Sequence, residues 1–420
     1  MKYRSATVLM SAVLVVFSDS MAASAELWTG WLGPERNGWV SSFKSPDAWP
    51  QSLSKVWSVD VGTGYGSPLV VDEHVFQHAR QGDDEVVWSL DRTSGKVLWR
   101  KSFPVPFKAA GGGEYHGNGP KSCPVYADGR LFTMSINGTL SAWDASSGKQ
   151  LWQRSDGGTF GKSHPNWGAS TSPIVDGSNV IVHFGTDDAG VLLALDVATG
   201  KEVWKQGKDG ASYSSPLLAE INGVQQVVEW NHRALAGVES RSGKPLWEFP
   251  FPHVGSDQNM PTPAIHNGRV LLGGENRGIH SIRPELKNGE WTVTDEWHQK
   301  ELALDMSSAV INDGLLYGFS HYDKGRLFCL DPKTGDVLWT GPPRTGRNVM
   351  FLAVPGYIVA LIDSGELRIV RASPRKYQQV ASYRVADGHT WAPPVLLSDG
   401  VLIKDRERLT LWSLSSLESN

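Results

Sequence analysis

A nine-residue unit occurs five times along this chain: DRTSGKVLW at 91–99, DASSGKQLW at 144–152, DVATGKEVW at 196–204, ESRSGKPLW at 239–247 and DPKTGDVLW at 331–339. Five copies exclude chance, and repetition at this interval means a supersecondary unit that buries its apolar face only by stacking on its neighbours. Each copy follows a short apolar segment, so it reads as a strand, a tight turn with glycine where positive φ is tolerated, and a second strand carrying tryptophan.

A second element interleaves with the first: SPLVVDEHV from Ser67, CPVYADGRL from Cys123, SPIVDGSNV from Ser172, SPLLAEING from Ser215, TPAIHNGRV from Thr262 and SAVINDGLL from Ser308, with weaker copies from Ala353 and Pro393. The eight copies are 40 to 56 residues apart, close to the period of about 40–50 expected of four-stranded propeller blades. Each repeat supplies an inner strand (SPxxxD), a second strand after a DG-type turn, a third strand and an outer strand ending in tryptophan. No stretch sustains a helical apolar period. The expected fold is all-β, an eight-bladed propeller of four-stranded antiparallel blades. Residues 411–415 lack a following outer strand, and 55–57 form an outer strand with no third strand before it, so the amino-terminal strand should complete the last blade and close the ring. Two blades are degenerate. One uses Trp291 or Trp297, and in another Tyr383 replaces the tryptophan.

Lys2 and Arg4, the apolar run 8–17 and Ala23-Ser24-Ala25 read as a secretory leader over 1–25, cleaved after Ala25. Ten apolar residues are too few to span a bilayer. The expected organisation is therefore leader 1–25, a tryptophan-rich extension 26–54 and a propeller over 55–420, exported to the periplasm or beyond and not inserted in a membrane once the leader is removed. Lys plus Arg number 40 against 44 Asp plus Glu, a net charge of −4. That balance offers no basic field for nucleic acid. Cys123 and Cys329, 206 positions apart in apolar strand contexts, are expected to be buried free thiols.

The repeated DxxTGKxxW unit resembles that of the pyrroloquinoline-quinone (PQQ) propeller superfamily, which includes quinoprotein alcohol dehydrogenases and the outer-membrane-protein assembly lipoprotein of Gram-negative bacteria. The segment WTGWLGPERNGWVSS at 28–42 also resembles the opening of many secreted bacterial PQQ-like propellers. The resemblance implies that the outer-strand tryptophan docks on the glycine turn of a neighbouring blade, which makes Trp57, Trp99, Trp152, Trp204, Trp247 and Trp339 structural. It also implies PQQ with calcium as a cofactor for the enzymatic members. Their vicinal cysteine pair has no counterpart here, no catalytic base or calcium ligand aligns, and no CxxCH haem motif occurs.

The motif aspartates Asp91, Asp144, Asp196 and Asp331 start turns and are expected to accept backbone hydrogen bonds. Asp83-Asp84-Glu85 and Asp187-Asp188 read as solvated hairpins, and no metal-ligand spacing, GxSxG or phosphate loop is present. Functional groups should gather on the face opposite the DG and DxxTGK turns, where two connections are long: 25 residues from Trp99 to Pro124 and 21 from Trp152 to Pro173, against 11 to 16 elsewhere. The first carries His116, Asn118 and Lys121, and the second His164, Asn166 and Trp167. Equivalent positions hold Tyr65, Tyr213, Asp257, Asn259 and Asp305, then Arg347, Asn348, His389 and Trp391. These residues form the expected ligand pocket. Two functions follow from it. One is an exported non-catalytic module binding a partner protein, polymer or small-molecule ligand on the loop face. The other is a PQQ-dependent oxidoreductase with a separate electron acceptor.

Overall fold

The computed structural model describes residues 27–415 apart from Ser256; the expected leader lies outside them. Eight antiparallel sheets succeed one another in chain order with their strands in sequence order from the axis outwards, except that the eighth takes its outer strand from the amino-terminal segment and the first gains Leu27–Trp28 as a fifth, innermost strand. The third blade is representative, with strands Ile174–Asp176, Asn179–Gly185, Gly190–Asp196 and Glu202–Gln206. Its two middle strands are buried almost throughout, and its outer strand is largely exposed. Described helices are limited to single turns. None is long and apolar enough to cross a membrane.

The first turn of each blade shows why the DG-type sequences recur. At Asp128-Gly129, Asn222-Gly223, Asn267-Gly268 and Asp313-Gly314 both central residues have positive φ, the mirror-image turn that matches strand twist. The motif aspartates serve the second turn. Asp144 Oδ1 accepts hydrogen bonds from the Ser147 amide at 2.9 Å and from the Ser146 and Ser147 hydroxyls at 2.7 Å. These bonds, Ser147's first, hold its carboxyl down at about pKa 2. Asp91 and Asp196 cap their turns in the same way.

Each tryptophan then locks one blade to the next. The Trp99 indole lies against Gly148, where an added Cβ would come within 2.6 Å of the ring, and its Nε1 donates to the Ala145 carbonyl at 3.0 Å. Trp57, Trp152 and Trp204 repeat the arrangement on Gly95, Gly200 and Gly243, and Trp339 donates to Ser373 O. Glycine is required twice over at Gly148, by φ of 67° and by contact with the ring. In the degenerate fifth blade Trp297, not Trp291, takes this role, stacked on Gly335. Tyr383 donates instead to Pro50 O of the amino-terminal segment. Trp247 departs from the expected docking. The fifth blade replaces the glycine turn with the long hairpin Ile279–Lys287 and Glu290–Gln299, so Trp247 folds onto Gly237 of its own blade and donates to Gln226 Oε1.

Every outer strand slips register at the equivalent residue, Val56, Leu98, Leu151, Val203, Leu246, Glu296, Leu338 and Val380, which directly precedes the tryptophan in all blades but the seventh; there Ala381 follows the bulge, so Tyr383 lies two residues beyond the tryptophan position. A bulge there twists the open edge of the blade away from edge-to-edge pairing.

Closure follows the expected route. Ser54–Asp60 pairs with Arg408–Ser413 as the outer strand of the eighth blade. The preceding segment does more than the sequence suggested, because it touches each of the other seven blades. Leu27 and Trp28 pair with the first, Thr29 O accepts from Tyr126 N of the second, and Arg36 donates to Ser172 and Pro173 carbonyls of the third and to Pro216 O of the fourth. Trp31 bonds Thr262 of the fifth at 3.0 Å, Gly38 lies against Val310 of the sixth, and Val40 N donates to Ala353 O of the seventh. Arg36 is partly buried, and desolvation pulls its pKa down to about 9. The axis is thereby plugged on the turn face, and the opposite mouth leads into a blind funnel.

Candidate functional site

The inner strands begin with a ring of hydrogen bonds around the axis that explains the SP element. Cys123 N donates to Ser172 Oγ at 3.0 Å, Ser172 N to Ser215 Oγ at 3.0 Å and Thr262 N to Ser308 Oγ at 2.9 Å. Cys123 stands in for a serine, its Sγ accepting from Ser67 N at 2.9 Å, and burial pushes its thiol up to about 12. Both cysteines are buried and free.

Two residues before each ring position the chain presents a side chain to the funnel. Tyr65, Lys121, Ser170 and Tyr213 do so from the first four blades, Met260 and Met306 from the fifth and sixth, and Trp391 from the eighth. In the seventh blade the corresponding residue is Asn348, buried and bonded to Ser307 Oγ at 2.6 Å. There Met350, at the serine position itself, reaches the funnel instead. Trp31 of the plug joins them, and together they enclose a cavity of about 300 Å³. An outer chamber of about 390 Å³ shares His116, Asp305, Met306 and Trp391 with it and adds Tyr115, His321, Lys324 and Arg347.

The two long connections strap the mouth. Tyr115 reaches across the rim, its hydroxyl 3.0 Å from His389 Nε2 and accepting from Arg347 at 3.1 Å. The His116 ring meets Trp391 edge-on at 4.6 Å and Tyr65 at 6.0 Å. From the second strap Trp167 donates Nε1–H to Gly111 O at 2.7 Å, accepts Lys121 Nζ on its carbonyl at 2.6 Å and packs on Tyr213.

Of the expected residues, the structure brings His116, Lys121, Trp167, Asp305 and Trp391 together with Tyr65 and Tyr213, and sets Arg347 in the outer chamber with His389 at its edge. The others occupy different places. Asn118 Oδ1 caps Ala109 N, and His164 Nδ1–H bonds Pro165 O against Phe107. Exposed Asn166 accepts from Lys162, and Asp257 accepts from Asn276. Asn259 is buried and ties Asn231 to Arg277. Residues not anticipated are Trp31, Tyr115, Glu275 and the three methionines. Met260 and Met306 were legible in principle, since both lie two residues before an SP element; Met350 and Trp31 were not, because Met350 sits at the serine position itself and only the path of the plug puts Trp31 there.

Burial sets the charge states inside. His116 is pulled down to about 4 by desolvation and then by Lys121 and His389, so its imidazole is neutral at pH 7. Desolvation lowers Lys121 to about 8. Asp305 is pushed up to about 7 by burial and then by Glu275 and Asp257, and Glu275 is raised for the same kinds of reason. A carboxyl raised on folding costs stability once pH exceeds its unfolded value and most of all above its folded one. Asp305→Asn should therefore stabilise the protein at pH 8, on the order of 1–2 kcal/mol after allowing for solvent at the funnel mouth, and leave it unchanged near pH 3. Thermal melts at the two pH values check this; equal gains at both would exclude ionisation as the cause.

The family's quinone chemistry needs a calcium donor set beside the cofactor, as the sequence resemblance implies. Among the described residues no three His, Cys, Asp or Glu side chains come together in a way that could hold a metal ion. The two cysteines lie in different blades. The vicinal thiol pair that the resemblance implies over the quinone is therefore not formed.

Eight blades, five of whose boundaries are locked by a tryptophan on a glycine turn, with a plugged axis and a lined funnel, define a PQQ-like propeller protein. Residues 83–341 match the family model described as outer membrane protein assembly factor BamB, and the chain belongs to that family. It is 25% identical over 223 residues to outer membrane protein assembly factor BamB of Yersinia pestis, covering 51% of this chain and 55% of that one. It is 24% identical over 347 residues to the dehydrogenase subunit of a quinone alcohol dehydrogenase of Gluconacetobacter polyoxogenes, covering 71% and 44%. The chain thus spans about half the length of these relatives. The crystal structure of BamB from Moraxella catarrhalis superposes with a TM-score of 0.62 at 14% identity, over 86% of this chain and 99% of that one, a likeness of fold.

Proposed function

We propose that this chain is an exported, non-catalytic binding module that engages a partner protein through its loop face and admits a ligand into the funnel. The observation that carries this reading is the asymmetry of the axis: one end is plugged by residues in contact with seven of the eight blades, and the other is open, strapped by the two longest loops and lined by side chains from every blade. Membership of a family described as an assembly factor supports a partner protein over a substrate. Export rests on the leader-like residues 1–25.

The test is site-specific photo-cross-linking in the native host. A photoreactive residue at exposed Asn166, on the second strap, should trap a partner in the extracytoplasmic fraction on a chain that begins at Glu26. The same probe at exposed Thr93, on the turn face, should trap none. Adducts confined to Thr93 would reverse the assignment. The quinone reading makes a contrary demand. Purified protein mixed with PQQ and calcium would have to retain quinone absorbance through gel filtration, and the binding-module reading expects that it does not.

A further inference from the structure

The funnel wall is uneven in a way that the binding reading does not explain. Four methionines lie among the described residues. Met134 is core, 1% exposed in the second blade, and the other three, Met260, Met306 and Met350, all line the same 300 Å³ cavity. They come from three consecutive blades whose inner strands are joined by hydrogen bonds beside them. Thr262, two residues after Met260, donates its N–H to Ser308 Oγ at 2.9 Å, two residues after Met306. Val349 N donates to Ser307 Oγ at 3.1 Å between Met306 and Met350. Three flexible thioether side chains thus start from adjoining points on one arc of the funnel.

The rest of the wall carries Tyr65, Trp167, Tyr213, Trp391 and Lys121, whose ammonium is tied to Trp167 O, while Trp31 reaches the fifth blade beside Met260. The arc with the sulfurs carries no lysine or arginine among the cavity-lining residues; it carries Asp305 and Glu275 instead. Thioether sulfur is a soft, uncharged, polarisable donor that selects monovalent copper over hard cations, and nearby carboxyls favour a cation over an anion. Among the described residues no three His, Cys, Asp or Glu side chains come together to hold a metal ion, which leaves thioether sulfur as the distinctive donor.

We propose that Met260, Met306 and Met350 form a thioether site for Cu(I) in the floor of the funnel. This rests on the reading of the funnel as the binding site and names a ligand for it. No electron transfer is involved: the ion enters and leaves as Cu(I), and three neutral sulfurs replace its solution ligands.

The experiment is a competition titration of the purified full chain against a chromogenic Cu(I) chelator, under anaerobic reducing conditions. One Cu(I) per chain should be withdrawn from the chelator. Substituting any one of the three methionines by leucine, which nearly conserves volume, should weaken binding at least about tenfold. The triple leucine variant should abolish it, while M134L binds as the parent does. A second measurement needs no variant: with methyl-labelled methionine, the redox-inert mimic Ag(I) should shift the resonances of Met260, Met306 and Met350 and leave that of Met134 in place. Failure of the folded parent to compete for Cu(I), or undiminished binding by the triple variant, would overturn the site. Loss of the Cu(I) site with cross-linking at Asn166 intact would remove the metal alone and leave the partner reading standing; the reverse result would do the opposite.

Discussion

Trp57→Ala should lower the stability of the whole propeller by about 3–5 kcal/mol, the usual cost of truncating a buried aromatic, although the residue lies in an amino-terminal strand far from the blade it completes. Its indole is 8% exposed, stacks on Gly95 and donates to Arg92 O at 2.8 Å. It therefore belongs to two interfaces at once: its backbone pairs with Leu411 of the last blade, and its ring locks that blade to the first. Alanine would leave a cavity where the ring meets the turn and would remove the indole donor to the Arg92 carbonyl. Equilibrium denaturation in urea reads the effect, with Trp152→Ala as the comparison at an ordinary blade boundary. If Trp57→Ala unfolded at the parental midpoint while Trp152→Ala did not, the closing strand would contribute nothing to the ring.

Lys404→Met should cost a similar amount, about 2–4 kcal/mol, for a different reason. Lys404 is fully buried in the second strand of the eighth blade, and its ammonium donates to the carbonyls of Gly62, Gly64, Asp405 and Arg406 at 2.6 to 3.1 Å. Burial pulls its pKa down to about 7, opposed by the carboxylates of Asp405, Glu407 and Asp60. Methionine fits the volume and removes the desolvation cost of the charge, but it leaves four carbonyls facing a side chain with no donor, each worth about 1–3 kcal/mol when orphaned. Gly62 and Gly64 follow the closing strand directly, and the other two carbonyls lie in the adjoining hairpin of the last blade, so the ammonium staples the two chain ends together. A melting temperature in the methionine variant equal to or above that of the parent would mean that the carbonyls find water or other donors, and that the lysine is dispensable to closure.

The repeat made the fold legible. Blade number, strand order and the closing strand follow from DxxTGKxxW and the SP elements, because each encodes a local turn geometry and a local burial pattern. The function of the tryptophans was readable for the same reason wherever the partner turn was also present in the sequence. Trp247 shows the limit of that reasoning. Its own nine residues are regular, and its docking changed because the next blade lacks the glycine turn.

The site was only half legible. The loop face, the two long connections and His116, Lys121, Trp167 and Trp391 could be named, since loop length and polarity are properties of the chain alone. Whether such side chains converge is a matter of radial position. His164, Asn118 and Asn166 sit in the same loops yet spend their hydrogen bonds locally, and nothing in their sequence neighbourhood separates them from Trp167. The methionines carried no sequence signal beyond the register of Met260 and Met306, and only the closing of the ring places three of them in one cavity.

By itself, then, the sequence determined everything that depends on contacts within one repeat: the hairpin turns, the aspartate caps, the order of strands, and the ring that eight such units must close. Only the tertiary structure decided what happens on the axis. There, residues 27–43 bind all but the eighth blade, which the strand after them completes, and so plug one mouth; Arg36 donates to carbonyls of the third and fourth blades, and Trp31 becomes part of the funnel lining. The axis is where residues hundreds of positions apart come within a few ångströms. A side chain's surroundings there are set by the other seven blades, which no local pattern in its own blade encodes.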